Sequence, residues 1–146
     1  MTVISGQRDA IQPKHYALPN GKEVIDVIEL ATRQLKGVAA YDIGNTIKYL
    51  MRAGKKASDQ SKSQSLADKE KEDLKKANWY CSHAIDNLSE FDCMINDDPM
   101  LKEFALQCFD DCSKKSILSL LLTQVDNKES KKTLLKNAQT LLSKLY

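Results

Sequence analysis

The chain has 146 residues, of which 42% are hydrophobic and 29% charged, and a formal net charge of +2. This length is enough for one domain with a modest core, and the composition is that of a soluble globular protein. No run approaches the roughly eighteen apolar residues of a membrane span, and the N-terminus lacks the apolar stretch of a secretory signal. We therefore expect a protein without membrane partners in the cytoplasm of its host cell.

Positive charge is concentrated in the first part of the chain. Residues 14–56 hold eight Lys and Arg against four Asp and Glu, whereas residues 57–146 hold thirteen against fifteen. An anion-binding site is therefore expected in the first part. The near-balanced total charge and the absence of a recognised helix-turn-helix spacing argue against nucleic acid as a partner.

The periodicity of the apolar residues predicts an all-α fold, a compact bundle of about five helices. The helices are expected at about 23–35, over 41–56 as far as Gly54, at 68–88, at 99–124 and from 130 onwards. Residues 1–13 are predicted to form a flexible arm. Residues 14–90 should form a helical domain with a mobile, serine-rich loop at 57–67, and residues 91–146 a helical hairpin.

The helix over 41–56 carries two different faces. Ile43, Ile47, Leu50 and Met51 form an apolar stripe. A second stripe carries an amide, an ammonium, a phenol and a guanidinium, and it consists of Asn45, Lys48, Tyr49 and Arg52. Those groups suit a ligand that carries phosphate and a flat ring.

The later helices are richer in leucine. In the third helix a bundle seam is predicted from residues that repeat at spacings of three and four: Leu74, Ala77, Cys81, Ala84 and Leu88. Asp98 followed by Pro99 is typical of a helix start. The last two helices are too apolar for a lone surface hairpin, so they either cap the core or form a subunit interface. The second alternative leads us to expect a homo-oligomer.

Four segments together resemble a known family. They are Lys14-His15-Tyr16, the segment 23–29 (EVIDVIE), the segment 44–56 (GNTIKYLMRAGKK) and the segment 73–80 (DLKKANWY). The chain resembles the phage nucleotide kinase-like family, a small phage domain of unknown function related to the early nucleoside-monophosphate kinase of the T-odd coliphages. The resemblance spans roughly residues 13–88.

The resemblance implies a phage protein that binds a nucleotide and transfers phosphate to a (deoxy)nucleoside monophosphate. Arg52, Lys48 and His15 are the implied catalytic residues. The implied nucleotide- and phosphate-binding residues are Lys14, His15, Tyr16, Asn45, Lys48, Tyr49, Arg52, Lys55, Lys56, Asp73, Lys76 and Tyr80. The chain has no GxxxxGK[ST] loop, so side chains would have to position and neutralise the phosphates. No cofactor is firmly implied, although ATP with Mg²⁺ would serve such a reaction.

Each of these residues also has a structural interpretation. Tyr49 and Tyr80 either stack on a nucleobase or pack in the core. Asp73 either binds metal, with Glu23 and Asp26 as the other carboxylate candidates, or pairs with Arg52 or a lysine. No metal-binding residue is assigned.

Two hypotheses about function remain open. In the first, the protein is a nucleoside-monophosphate kinase without a P-loop. In the second, it performs no chemistry and is a sponge that sequesters the nucleotide second messengers of host antiphage defence. The sequence favours the kinase only slightly.

Overall fold

The structure is a computed structural model that describes residues 18, 21–54 and 65–146. These residues form six helices and no strand, and the β pairing among them is limited to isolated bridge positions, such as the antiparallel bridge between Leu35 and Phe91. The helices are α1 (Val24–Thr32), α2 (Gly37–Arg52), α3 (Leu66–Asp86), α4 (Pro99–Leu106), α5 (Cys112–Leu122) and α6 (Lys128–Leu142). The predicted all-α class is confirmed for this part of the chain.

The predicted arm at 1–13 lies outside the described residues, and so does the predicted loop as far as residue 64. The last three residues of that loop, 65–67, instead begin α3. Ser65 is the N-cap of α3, and its hydroxyl accepts a hydrogen bond from the Asp68 backbone at 3.1 Å. None of the described helices is long and apolar enough to cross a membrane.

The α2 helix is longer at its start than the sequence indicated. The first helix was expected to continue to about residue 35 and the second to begin at 41, but α1 ends at Thr32 and Gly37 is the first residue of α2, with φ +60°. The other end agrees with the prediction. The helix ends at Arg52, and Gly54 follows with φ +78°, a conformation that glycine adopts without steric cost.

The two predicted apolar faces of α2 and α3 pack in the core. Ile43, Ile47, Leu50 and Met51 are all at most 2% exposed, as are Leu74, Ala77, Cys81 and Ala84 of α3. Gly44 supports a close approach of α1, because a Cβ at this position would lie 3.2 Å from Cγ2 of Ile28. Because the apolar faces of α2 and α3 are buried, most polar residues of the two helices lie on the opposite, solvent-facing side.

The single helix predicted over 99–124 is in fact two helices. Asp98 and Pro99 begin α4 as expected, with Asp98 accepting a hydrogen bond from the Leu101 backbone at 3.1 Å. The chain then leaves the helix, because Asp111 caps a new one by accepting from the Ser113 backbone at 2.7 Å. A short aspartate side chain that bonds to the backbone competes with helix continuation.

The last helices cap the core, which was one of the two alternatives for them. Leu135, Ala138 and Leu142 of α6 are fully buried, and the Cys81 thiol of α3 contacts the Leu135 carbonyl oxygen at 3.6 Å. The apolar face of α6 is therefore covered within one chain. An oligomer built on these helices remains a prediction.

Candidate functional site

The α2 and α3 helices run antiparallel, and two contacts define their register. Arg52 of α2 meets Asp73 of α3, and Asp42 of α2 meets His83 of α3. Residue numbers therefore rise along α2 as they fall along the facing side of α3. Ten residues separate the two contacts on each helix, which at 1.5 Å per residue is roughly 15 Å. Between them lies a row of aromatic and charged side chains, which we call the α2–α3 strip.

One end of the strip is cationic. The Arg52 guanidinium Nη2 donates to Asp73 Oδ1 at 2.8 Å. The Asp73 side chain is 1% exposed and that of Arg52 12%, so the pair is largely withdrawn from water. The second Asp73 oxygen, Oδ2, is buried and has no hydrogen-bond partner in the described part of the chain. Asp73 can therefore accept one more hydrogen bond.

Tyr49 is the centre of this end. Its ring is stacked on that of Tyr80, with the two planes 9° apart and the centroids separated by 5.9 Å. Among the described residues, three cationic groups lie near the Tyr49 ring: Lys48 Nζ and Arg52 Cζ each lie 4.8 Å from its centroid, and Lys76 Nζ lies at 5.4 Å. We call Lys48, Arg52 and Lys76 the cation end of the strip.

The chemistry of Tyr80 is that of a neutral phenol. Burial raises the pKa of Tyr80 above its usual value of 10.0, and the neighbouring Tyr41 and Tyr49 raise it further. The two stacked rings thus form an uncharged aromatic centre beside three cations, and the exposed rings of Tyr41 and Trp79 contact it edge to face. This combination favours a ligand in which a flat ring is joined to phosphate.

The other end of the strip is built around an imidazole. The His83 Nδ1–H donates to Asp42 Oδ2 at 2.6 Å. The Asp42 side chain is 2% exposed, whereas that of His83 is 41% exposed. The His83 ring is stacked on Trp79, with planes 11° apart and centroids separated by 4.9 Å. We call Asp42, Trp79 and His83 the imidazole end.

The structure brings together many of the residues that the sequence singled out. Lys48, Tyr49, Arg52, Asp73, Lys76 and Tyr80 all lie on the strip. Asn45 lies on the same helix, where its amide donates to the Tyr41 carbonyl oxygen at 3.1 Å. The remaining predicted site residues lie outside the described part of the chain: Lys14, His15, Tyr16, Lys55 and Lys56.

The imidazole end was missed by the sequence analysis, which placed neither His83 nor Asp42 in the site. The signal that could have found it is the helix register. Once Arg52 is placed opposite Asp73 in an antiparallel pair, Asp42 falls opposite His83. The i, i+4 spacing of Trp79 and His83 also places the two rings on one face of α3.

The carboxylates proposed for magnesium do not meet in one place. Asp26 Oδ2 accepts from the Glu23 backbone at 2.7 Å in the capping box that begins α1. Asp73 is paired with Arg52 instead. In the described ranges no three His, Cys, Asp or Glu side chains are grouped closely enough to hold a metal ion.

Comparison with known proteins gives a family match without an activity. Residues 11–82 match the family model described as a protein of unknown function, DUF3310. The match covers 72 of the 146 residues and includes α1, α2 and most of α3. No curated protein matches the chain, and no solved structure does so either.

Proposed function

We propose that this protein binds nucleotides on the α2–α3 strip. The observation that carries the proposal is the stacked pair of Tyr49 and Tyr80, which has three cationic groups within 5.4 Å of the Tyr49 centroid. Base stacking on an aromatic side chain contributes about 1–3 kcal/mol. Charge-assisted hydrogen bonds to phosphate contribute about 1.5–3 kcal/mol each.

We further propose that a phage-encoded enzyme uses this surface to transfer phosphate from a nucleoside triphosphate to a (deoxy)nucleoside monophosphate. The chemistry of such a transfer consists mainly of holding the groups in line and neutralising the phosphate oxygens. Lys48 and Lys76 carry ammonium groups on long side chains with several rotatable bonds, which suits contact with the phosphate that is transferred. Arg52 is held in place by Asp73 and Tyr49, so it is suited to a fixed contact with a phosphate that does not move.

The test is an incubation of the purified protein with ATP, Mg²⁺ and mixed deoxynucleoside monophosphates, followed by chromatography of the free and protein-bound fractions. New diphosphates in excess over the protein are expected, and they would identify the acceptor. Intact nucleotide recovered with the protein, without product, would refute the transfer and support sequestration, the function of a sponge for nucleotide second messengers. If no nucleotide were bound or converted, the proposal would be wrong.

Lys48→Met is the variant that tests the site. Loss of one ammonium contact to phosphate is expected to weaken nucleotide binding by about 10-fold to 100-fold. Lys136→Met on the exposed face of α6 is the matched control and should bind as the unchanged protein does. Equal affinities for the two variants would remove Lys48 from the site.

The homo-oligomer is a separate proposal, and its support is the leucine-rich sequence of the last two helices. The apolar residues at their core-facing positions are already buried within one chain, so an interface would have to use their half-buried residues, such as Leu141 and Leu145. Light scattering that gives the mass of a single chain would refute this proposal.

A further inference from the structure

The two ends of the α2–α3 strip differ in charge. At the cation end, Lys48, Arg52 and Lys76 lie together, and among the described residues the carboxylates of Asp73 and Glu72 pair with two of these three cations. At the imidazole end, the buried Asp42 carboxylate is paired with an imidazole rather than with a Lys or Arg of the described residues. A phosphate placed there would lie beside a buried negative charge, which is unfavourable in a poorly screened setting.

The exposed aromatic side chains lie mainly at the imidazole end, whereas the cationic side chains lie at the cation end. Tyr49 and Tyr80 at the centre are half-buried and cover each other. Trp79 and Tyr41, on the two helices at the imidazole end, are 59% and 64% exposed, and both rings contact Tyr80 edge to face. The free ring faces available for stacking a base therefore lie away from the cations.

From the difference in charge and the difference in exposed aromatic surface between the two ends, we propose that the strip binds its nucleotide in one direction. The phosphates lie at the cation end and the nucleoside at the imidazole end. This inference rests on the proposed nucleotide binding and adds to it an orientation and a second set of ligand contacts. The base stacks on Trp79 and Tyr41, and His83 contacts the nucleoside.

The contact made by His83 follows from its hydrogen bond with Asp42. A carboxylate accepts hydrogen bonds and does not donate them, so the proton lies on Nδ1 and the outer nitrogen, Nε2, of the neutral ring is an acceptor. The group that it recognises is a hydrogen-bond donor of the nucleoside, either a sugar hydroxyl or a base N–H. Asp42 is a positioning residue, because it fixes the tautomer and the orientation of the imidazole.

Trp79 provides the measurement, because it is the only tryptophan of the chain and is stacked on His83. We would titrate the full chain separately with each of the four deoxynucleosides, with pyrophosphate and with the matching deoxynucleoside triphosphates. Trp79 fluorescence reports contact at the imidazole end, and calorimetry reports binding anywhere. At least one nucleoside should change the Trp79 emission in a saturable way, whereas pyrophosphate should bind without changing it.

Two variants test the contact itself. His83→Gln and Asp42→Asn should each weaken binding of the responding nucleoside by about 3-fold to 10-fold, the loss of one hydrogen bond, and leave pyrophosphate binding unchanged. Ser82→Ala and Asp110→Asn replace exposed residues and serve as controls. His83 is partly exposed, so its variant remains informative if Asp42→Asn fails to fold. Comparison of the nucleoside with its 3′-deoxy analogue and with the free base identifies the donor.

The outcomes separate this inference from the proposed function. Pyrophosphate that changes the Trp79 emission while nucleosides do not would reverse the orientation and overturn the inference. Triphosphates that bind in calorimetry without any response from Trp79, or with His83→Gln affinity unchanged, would also overturn it and leave the proposed function standing. Absence of nucleotide binding in calorimetry would overturn both.

Discussion

Arg52 is tied into the protein on two sides, by the ion pair with Asp73 and by the ring of Tyr49. A planar guanidinium can make both contacts at once, whereas an ammonium cannot reproduce the fork and the stacking face together. The sequence analysis left open whether Asp73 pairs with Arg52 or binds metal, and the ion pair is the contact that is present. Arg52 therefore has a structural role whatever ligand the strip binds.

The Arg52–Asp73 pair should show strong coupling in a double-mutant cycle. Arg52→Met leaves a carboxylate that is 1% exposed without its cation and should lower the free energy of unfolding by about 3 kcal/mol. Arg52→Met combined with Asp73→Leu should cost clearly less than the two single changes added together. Urea unfolding of the four proteins gives the coupling energy.

The exposed Lys76–Glu72 pair of α3 is the control for this cycle, because its two side chains are 41% and 38% exposed. Lys76→Met should change the free energy of unfolding by less than about 0.5 kcal/mol. If the double variant lost as much free energy of unfolding as Arg52→Met and Asp73→Leu lose together, the buried pair would not be coupled.

Lys131 is buried with its charge-bearing group inside the protein. It is 1% exposed, and its Nζ donates to the carbonyl oxygens of Leu121 at 3.2 Å and Thr123 at 2.9 Å, at the C-terminal end of α5. Burial, together with the nearby charge of Lys102, lowers the pKa of Lys131 from 10.5 to about 8. The hydrogen bonds explain why a lysine is tolerated there, since a helix C-terminus favours a cation.

The lowered pKa of Lys131 predicts a pH dependence of stability. Between pH 8 and 10.5 the unfolded chain binds this proton and the folded chain does not, so the contribution of Lys131 to the free energy of unfolding rises with pH. The pKa difference corresponds to at most about 3 kcal/mol. Relative to Lys131→Met, the unchanged protein should therefore gain stability as the pH is raised from about 8 to 10.5, measured by urea unfolding.

Lys136→Met, which removes an exposed lysine from the same helix, is the control for the pH series. Its difference from the unchanged protein should stay constant over this range. Cys81 titrates in the opposite sense, because burial raises the pKa of its thiol to about 12, and Lys131 lowers that pKa. Removal of Lys131 therefore raises the pKa of Cys81 further, so the folded thiol stays protonated up to pH 10.5 in all three proteins and its contribution nearly cancels in the comparison. A pH-independent difference for Lys131→Met would contradict the lowered pKa.

At the scale of the helices, Gly54 follows the end of α2 and lies next to side chains of α3 and α5. It has φ +78°, and a Cβ there would collide with the Glu70 carboxylate, whose Oε2 accepts from Lys114 Nζ of α5 at 2.9 Å. Glycine is thus needed at this position for two independent reasons, the backbone conformation and the close approach of α3.

Gly54→Ala should lower the free energy of unfolding by more than Gly37→Ala. Both positions have a positive φ, which costs an L-residue about 1–2 kcal/mol, but at Gly37 a Cβ would meet nothing within 4 Å. The difference between the two variants therefore measures the displacement of Glu70 from Lys114. Thermal unfolding followed by circular dichroism gives both values. Similar losses of stability for the two would mean that Glu70 moves aside without cost.

The sequence predicted helices correctly where apolar residues repeat at helical spacing and face the core. It predicted helix ends less well, because a single side chain can end a helix. The stripe of α2 and the seam of α3 are buried as expected, because burial selects apolar residues at helical spacing. The break at Asp111 was missed, since aspartate near an apolar run is compatible with both a helix surface and a cap. Phe109, in the same break between α4 and α5, is buried in the core, and such tertiary packing is not visible in local sequence spacing.

The candidate site residues were predicted from the spacing within single helices. Contacts between residues of two different helices could not be predicted in this way. The residues of the cation end share a face of α2 or of α3, so local spacing was enough to group them. The contact between Asp42 and His83 joins residues 41 positions apart and depends on the register of two helices. That register follows from packing, which a single sequence does not specify.

At the scale of the whole molecule, α1, α2 and α3 depend on the helices that follow. The family match ends at residue 82, yet α3 packs against α6, and the buried core runs through all six helices. The later helices and the connection between α4 and α5 contribute ten buried hydrophobic residues: Leu101, Ala105, Phe109, Ile117, Leu118, Leu121, Leu122, Leu135, Ala138 and Leu142. Removal of these helices would expose the faces of α1, α2 and α3 that now lie against them.

A fragment of residues 1–90 should therefore fail to fold by itself. Burial of a leucine side chain contributes about 1.5–3 kcal/mol, whereas the whole free energy of unfolding of a domain is about 5–15 kcal/mol. The loss of several such contacts exceeds that margin. The fragment should show weak helical circular dichroism and no cooperative melting, and addition of a second fragment, residues 91–146, should restore both. A cooperative transition in the first fragment alone would instead show that residues 14–90 form an independent domain, as the sequence analysis divided the chain, and that the later helices are an addition to it.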